Sequence, residues 1–315
     1  MGTHMKDPIL LTGEGKLSYT VAACLFIAGH EVVFASENPE TARENVEEHL
    51  RLSEKSGLQA SGTAELNIVS TLQEEDKFRV VILITGDRLE DKIAAVRTGS
   101  RHVSADGILA INMESIELGE LQSSTDAPER LIGLNWSLPA HTTFFLEIIG
   151  NTLSDEAVLN QVMLLGKEWG KDPYIVRSGF SVRARLNAAL TREALYLVAN
   201  GYADHEDIDR NCRNDAGYYL PFAGNARYMD LMGTYAYGVV MKDLNRQLSS
   251  DRMLDPATEA LLKNGNLGME SGQGFFSYSK EETQEWENKM NSFSYQIHRL
   301  IKKYAFETAS THPSQ

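Results

Sequence analysis

Apolar positions come first in short, separated runs. Residues 8–12 form a compact apolar stretch that predicts a buried strand. Gly13, Glu14 and Gly15 follow, then a helical pattern over residues 17–29 and a second apolar run at 31–35. Strand, glycine turn, helix and strand in that order predict a βαβ unit. A polar helix is expected over 39–55, strands over 66–69 and 79–85, a helix over 89–96, and strands over 107–112 and 131–135. Alternating strands and helices with apolar strands predict an α/β fold, a doubly wound, Rossmann-type parallel sheet.

The pattern changes near Gly150. Residues 154–169 carry a helical period, with Ser154 or Asp155 as the N-cap. Helical patterns then dominate at 182–200, 205–212, 226–245, 257–263 and 281–304. The expected organisation is a dinucleotide-binding domain over 5–150, an all-α domain over 151–308 and a disordered tail over 309–315. The first residues, ahead of Met5, read as a remnant of an expression vector.

Composition narrows the class. The formal net charge of -14 opposes binding to phosphate backbones, so no nucleic-acid partner is expected. Two distant cysteines, Cys24 and Cys212, make neither a disulfide framework nor a metal site, and Cys24 reads as core. No apolar run is long enough to span a bilayer and no signal peptide is visible, so a cytoplasmic protein without membrane contact is expected.

The chemistry begins at the glycine turn. Gly13 and Gly15 stand where a dinucleotide fold brings backbone and a helix N-terminus to a pyrophosphate. The third glycine of a full fingerprint is replaced by Ser18, and Glu14 puts a carboxylate beside the expected phosphates. At the end of the second strand, where an acid usually holds the adenosine ribose, stands Ser36, followed by Glu37. The cofactor expected is NAD; NADP remains open, although no arginine lies beside Ser36. The other reading is that the glycines serve only a tight turn.

Residues 128–139, Pro-Glu-Arg-Leu-Ile-Gly-Leu-Asn-Trp-Ser-Leu-Pro, resemble the P-E-R-x-I-G-x-H-F-F-N-P segment of 3-hydroxyacyl-CoA dehydrogenases. The resemblance continues through Leu89-Glu90-Asp91-Lys92, Ala110-Ile111-Asn112-Met113-Glu114-Ser115, Gly166-Lys167, Gly179-Phe180, Glu193-Ala194, Asp207-Ile208-Asp209 and Gly272-Gln273-Gly274-Phe275-Phe276-Ser277-Tyr278. It implies hydride transfer between NAD and the 3-hydroxyl of an acyl-CoA. That chemistry needs a base near neutral pKa, which the family supplies as a histidine steadied by a glutamate.

Mapped residue by residue, the glutamate is Glu147, while the histidine position holds Asn135. An amide cannot take that proton at neutral pH. The serine that steadies the substrate oxygen maps to Glu114, and an asparagine of the helical domain maps to Arg183. Asp87 stands for an acid near the nicotinamide ribose, and Lys92 and Asn112 are kept. Loss of the base alone is expected to remove about 10²–10⁴-fold of rate. The segment 36–69 is shorter than the helical pair that helps hold CoA in the family, which weakens the expectation of CoA binding.

Glu147, Glu114, Arg183 and Asn135 are expected to converge. Arg183 either pairs with Glu147 or Glu114 and plugs the cleft, or grips a carboxylate ligand with its planar fork. The internal pair is favoured, because buried carboxylates need a cation. His141 reads as a surface histidine rather than a replacement base, and Trp136 as cleft lining or core. Two functions follow: a diverged NAD(P)-linked oxidoreductase on a small anionic or acyl-CoA-like ligand, or a non-catalytic binding or regulatory subunit. A homodimer through the helical domain, with 229–240 contributing, is implied by the resemblance.

Overall fold

The computed structural model describes residues 7–58 and 65–306. The vector-like start and the 309–315 tail lie outside the described residues. Two compact units divide between Ala184 and Arg185.

The first unit is built on an eight-stranded sheet in the order β3-β2-β1-β4-β5-β6-β7-β8. The strands are β1 (Ile9–Thr12), β2 (Val32–Ala35), β3 (Leu66–Val69), β4 (Phe78–Leu83), β5 (Val103–Ile111), β6 (Leu131–Trp136), β7 (Phe145–Ile149) and β8 (Asp172–Val176). Neighbours run parallel except β6 and β7, which are antiparallel. Helices α1 (Gly15–Ile27), α2 (Pro39–Lys55), α3 (Leu89–His102), α4 (Leu118–Gln122) and α5 (Glu156–Glu168) complete the unit.

The strand period of two sorts the core. Ile9, Leu11, Val80 and Ile82 join Val21, Leu25 and Val162 in one apolar cluster. Leu10, Val81 and Leu83 join Val96, Leu118 and Leu121 in the other. Successive strand residues face opposite sides, so both faces are buried and the strands read as unbroken apolar runs. Burying one such side chain contributes about 1.5–3 kcal/mol. Strand order reverses at β1, flanked by β2 and β4, which opens a crevice at the carboxyl ends of the strands.

Two strands were not among those expected. In β7 the apolar run is interrupted by Glu147, and in β8 Pro173 stands second. Proline is tolerated there because β8 is the edge strand. The sheet therefore continues well past residue 150, and α5, capped by Asp155 on the Ala157 N–H, belongs with it.

The second unit is helical: the body of α6 (Val182–Ala199), then α7 (His205–Asn211), α8 (Gly217–Met232), α9 (Thr234–Leu244), α10 (Pro256–Lys263) and α11 (Lys280–Ile301). Side-chain caps explain several starts: Asp204 at α7, Asp255 at α10, and a reciprocal Ser279–Glu282 box at α11. The single helix expected over 226–245 is instead two, broken at Gly233, and α8 begins earlier through a kink at Gly224 that follows Pro221. Among the described residues of this unit only Ser249, Ser294 and Tyr295 are buried. No helix among the described residues is long and apolar enough to cross a membrane.

Candidate functional site

At the carboxyl end of β1 the chain turns through Gly13 and Gly15, with φ of 142° and 81°. A Cβ on Gly13 would lie 2.4 Å from the Ile84 carbonyl oxygen and 2.8 Å from Ser18 Oγ, so only glycine fits. A Cβ on Gly15 would meet nothing within 4 Å, which leaves the start of α1 open. Ser18 is buried under the turn and donates to the Glu14 carbonyl at 3.1 Å. It fills the third-glycine position as a small packing residue.

Glu14 departs from expectation. Its side chain turns toward the end of β2, where Oε2 accepts from Ser36 Oγ at 3.1 Å and Oε1 from the Glu37 N–H at 2.6 Å. Ser36 is buried and also accepts from the Asn38 N–H. The carboxylate is thus anchored beside β2 by residues that would otherwise leave that strand end uncharged up to Glu37.

Across the crevice, Asn112 directly follows β5 and binds Thr85 twice, accepting from its N–H at 2.8 Å and donating to its carbonyl at 2.9 Å. Lys92 is fully buried; Nζ donates to the Asn112 carbonyl at 2.5 Å and Thr85 Oγ1 at 3.2 Å, and lies 3.6 Å from Asp87. Burial lowers the Lys92 pKa, against the Asp87 carboxylate that raises it. Asp87 itself receives Ser115 N–H and Oγ and the Glu114 N–H. Lys92, Asp87 and Asn112 form one network joining the ends of β4 and β5.

Asn135 and Glu147 face each other across β6 and β7, and Tyr174 is the partner of Glu147 on β8. Both Asn135 and Glu147 have no solvent exposure. Asn135 Oδ1 accepts from the Met113 N–H at 2.8 Å; Nδ2 donates to the Met113 carbonyl at 2.6 Å and to Glu147 Oε2 at 3.0 Å. Glu147 also accepts from Tyr174 at 2.9 Å, Ser181 Oγ at 2.6 Å, and the N–H groups of Val182 and Arg183 at 3.0 and 3.1 Å. It takes five donors and sits at the N-terminus of α6, where negative charge is favoured. Burial first, then the Glu147 carboxylate, push the Tyr174 hydroxyl well above the usual phenol range, so it remains a donor.

The expected ion pair forms between Arg183 and Glu114. Arg183 reaches Glu147 through its backbone N–H, while its guanidinium donates to the Trp136 carbonyl at 2.7 Å and lies 5.0 Å from the Phe145 ring. Glu114 stays 40% exposed against 22% for Arg183, so the pair stands at the rim of the site. Trp136 is core, stacked on Trp169 at 5.4 Å. His141 corrects the surface reading: it is 8% exposed, its ring 5.0 Å from that of His49 on α2. The chain after the strand end folds Ala140 and His141 back onto the sheet unit instead of leaving them in solvent. Tyr174 and Ser181 were missed; a buried glutamate demands donors, but their positions depend on β8, which the sequence did not reveal.

Residues 9–179 match the family described as 3-hydroxyacyl-CoA dehydrogenase, NAD binding domain, and residues 179–278 match its C-terminal domain. The chain belongs to the 3-hydroxyacyl-CoA dehydrogenase family. Within that family it is 30% identical over 207 residues to a 5-formyl-3-hydroxy-2-methylpyridine 4-carboxylate 5-dehydrogenase of Mesorhizobium japonicum, covering 65% of this chain and 67% of that one. It is 25% identical to a probable 3-hydroxybutyryl-CoA dehydrogenase of Bacillus subtilis, over 87% of this chain and 98% of the other. The crystal structure of a 5-formyl-3-hydroxy-2-methylpyridine 4-carboxylic acid 5-dehydrogenase, an NAD+ dependent dismutase, superposes with a TM-score of 0.86 at 25% identity, over 95% of this chain and 99% of that one.

The first unit of this family member fits a dinucleotide. The Gly13 cradle closes on the Ile84 backbone, Gly15 leaves the first turn of α1 open, and the Glu14 carboxylate reaches the end of β2.

Proposed function

We propose that the chain is an NAD-linked oxidoreductase of the 3-hydroxyacyl-CoA dehydrogenase family whose substrate is a small carboxylate, and that it does not oxidise 3-hydroxyacyl-CoA through a histidine–glutamate pair. Position 135 carries this reading. A base must reach the hydroxyl proton, but both polar atoms of the Asn135 side chain are spent on Met113 and Glu147 in a site closed to solvent. Bound NAD supplies the hydride acceptor. The residues that would hold it are Gly13, Gly15 and the N-terminus of α1 at the pyrophosphate, and Asn112, Lys92 and Asp87 toward the nicotinamide end.

The small-carboxylate assignment rests on two supports. Arg183 presents a partly exposed guanidinium at the rim, restrained by Glu114 and the Trp136 carbonyl. The relative with the 0.86 superposition acts, by its name, on a pyridine carboxylate. A substrate carboxylate would compete with Glu114 for the planar fork.

A second reading, a binding or regulatory subunit without turnover, is favoured by the saturation of Glu147 by five donors. In either reading we infer a homodimer through the helical unit. That unit leaves Leu186, Leu190, Leu231 and Tyr235 between 60% and 86% exposed, which a second copy would cover.

Calorimetric titration with NADH and NADPH comes first, then assays of NADH formation with pyridine carboxaldehyde carboxylates, small hydroxy acids and 3-hydroxybutyryl-CoA. Turnover confined to the small carboxylates supports the oxidoreductase. Efficient turnover of the acyl-CoA overturns it. Nucleotide binding without turnover of any class supports the second reading.

A further inference from the structure

We propose that Glu14 provides the carboxylate that receives the adenosine ribose diol, and that it sets a preference for NAD over NADP. In dinucleotide folds that carboxylate ordinarily extends from the end of the second strand. Here the strand ends in Ser36, whose hydroxyl cannot accept two ribose hydroxyls as a charged group does. The carboxylate arrives from the glycine turn instead. Glu14 lies between Gly13 and Gly15, and its side chain spans to β2.

The anchoring is specific. Ser36 is only 3% exposed, its Oγ placed by the Asn38 N–H at 3.1 Å and donating to Glu14 Oε2. The Glu37 N–H holds the second oxygen. A carboxylate offers about four lone-pair directions. Two are used by these donors, and Glu14 is exposed, so the others face outward. Both ribose hydroxyls can donate to them.

The same position opposes a 2′-phosphate. The exposed Glu37 adds a second negative charge, and neither Ser36 nor Asn38 offsets it. NADP would bring its phosphate against two carboxylates, whereas a free diol brings two donors. A charge-assisted hydrogen bond contributes more than a neutral one, so its loss is expected to weaken binding about tenfold or more.

The inference rests on the proposed NAD binding and is tested by dissociation constants alone. NADH and NADPH are titrated into the full-length wild type, Glu14→Gln and the double variant Glu14→Gln/Ser36→Asp, with melting temperatures recorded for each. The wild type is expected to prefer NADH at least tenfold. In Glu14→Gln, NADH binding should weaken about tenfold while NADPH binding holds or tightens, so that the preference collapses. The double variant, with its carboxylate returned to the strand end, should restore it. Equal weakening of both nucleotides, or unchanged NADH binding in Glu14→Gln, overturns the role of Glu14 while NAD binding stands. Failure of the wild type to bind either nucleotide overturns both.

Discussion

Asn135 on β6 and Glu147 on β7 are register partners whose side chains meet at 3.0 Å inside the sheet unit, with no exposure of either. The amide is fixed on its other side by both polar groups of the Met113 backbone. This pair ties the end of β5 to β6 and β7.

Glu147→Gln should be costly although nearly isosteric. Glutamine offers one acceptor oxygen, and its amide nitrogen would face groups that are themselves donors. Leaving a buried donor unsatisfied costs about 1–3 kcal/mol, and at least two of the five are affected, so a loss of about 3 kcal/mol is expected. Urea unfolding followed by a probe in the first unit measures it. Hydrogen exchange should quicken at the Val182 and Arg183 amides, which bond to Glu147. A loss under about 1 kcal/mol would mean the amide finds alternative partners.

Asn135→His alone is not expected to confer efficient 3-hydroxyacyl-CoA oxidation. The Arg183–Glu114 pair still occupies the rim, and the new imidazole loses the Met113 bonds that hold position 135. The triple change with Glu114→Ser and Arg183→Asn should exceed the single variant by about 10²–10⁴-fold in kcat/KM, the worth of a positioned base. Steady-state assay with 3-hydroxybutyryl-CoA decides it. Equal activity in the single and triple variants would remove the rim pair from the account.

Gly13→Ala and Gly15→Ala should differ. Both place a side chain at positive φ, but only at Gly13 does the Cβ meet backbone, 2.4 Å from the Ile84 oxygen. Backbone strain costs about 1–3 kcal/mol at either site, and the clash adds to it at Gly13. Gly13→Ala should therefore melt lower and lose NADH binding more completely, as thermal melts and titration can read. Matching melting temperatures would contradict the tight approach.

His49 predicts an acid-sensitive unit. Burial lowers its pKa below the usual imidazole value, with the Glu48 carboxylate opposing. The folded state then binds its proton less readily than the unfolded chain. Stability from neutral His49 is full above about pH 6.5 and falls as pH drops below that value toward the depressed folded pKa. His49→Phe should flatten the fall in melting temperature in that window. The His141 ring lies 5.0 Å away, and His141→Phe is the control. An unchanged slope in His49→Phe would exclude His49 as the source.

The strands that bury both faces were legible where nothing polar interrupts them, as at residues 9–11 and 80–83. The glycine turn was legible from its place between strand and helix. Glu147 hid β7, since a charged residue inside a short apolar run reads as a break. Pro173 hid β8 in the same way. With β8 went Tyr174, whose place opposite Glu147 is a property of register and not of spacing along the chain, whereas the meeting of Asn135 and Glu147 was expected from the family resemblance. The Arg183–Glu114 pair was foreseen as one of two options, because a cation and two carboxylates mapped to one place. The reach of Glu14 to Ser36 was not foreseen, since it depends on a side-chain direction that no local pattern encodes.

Pro173 has a consequence beyond its strand. In β8 the Asp172 N–H points inward to the Phe144 carbonyl, so the next residue directs its backbone outward. There Pro173 has no N–H to offer. An incoming strand would meet a gap in the row of donors along this rim of the sheet, and a continuous ladder between two molecules would be interrupted at its second rung. The missing donor is thus a built-in obstacle to sheet-to-sheet growth along this edge.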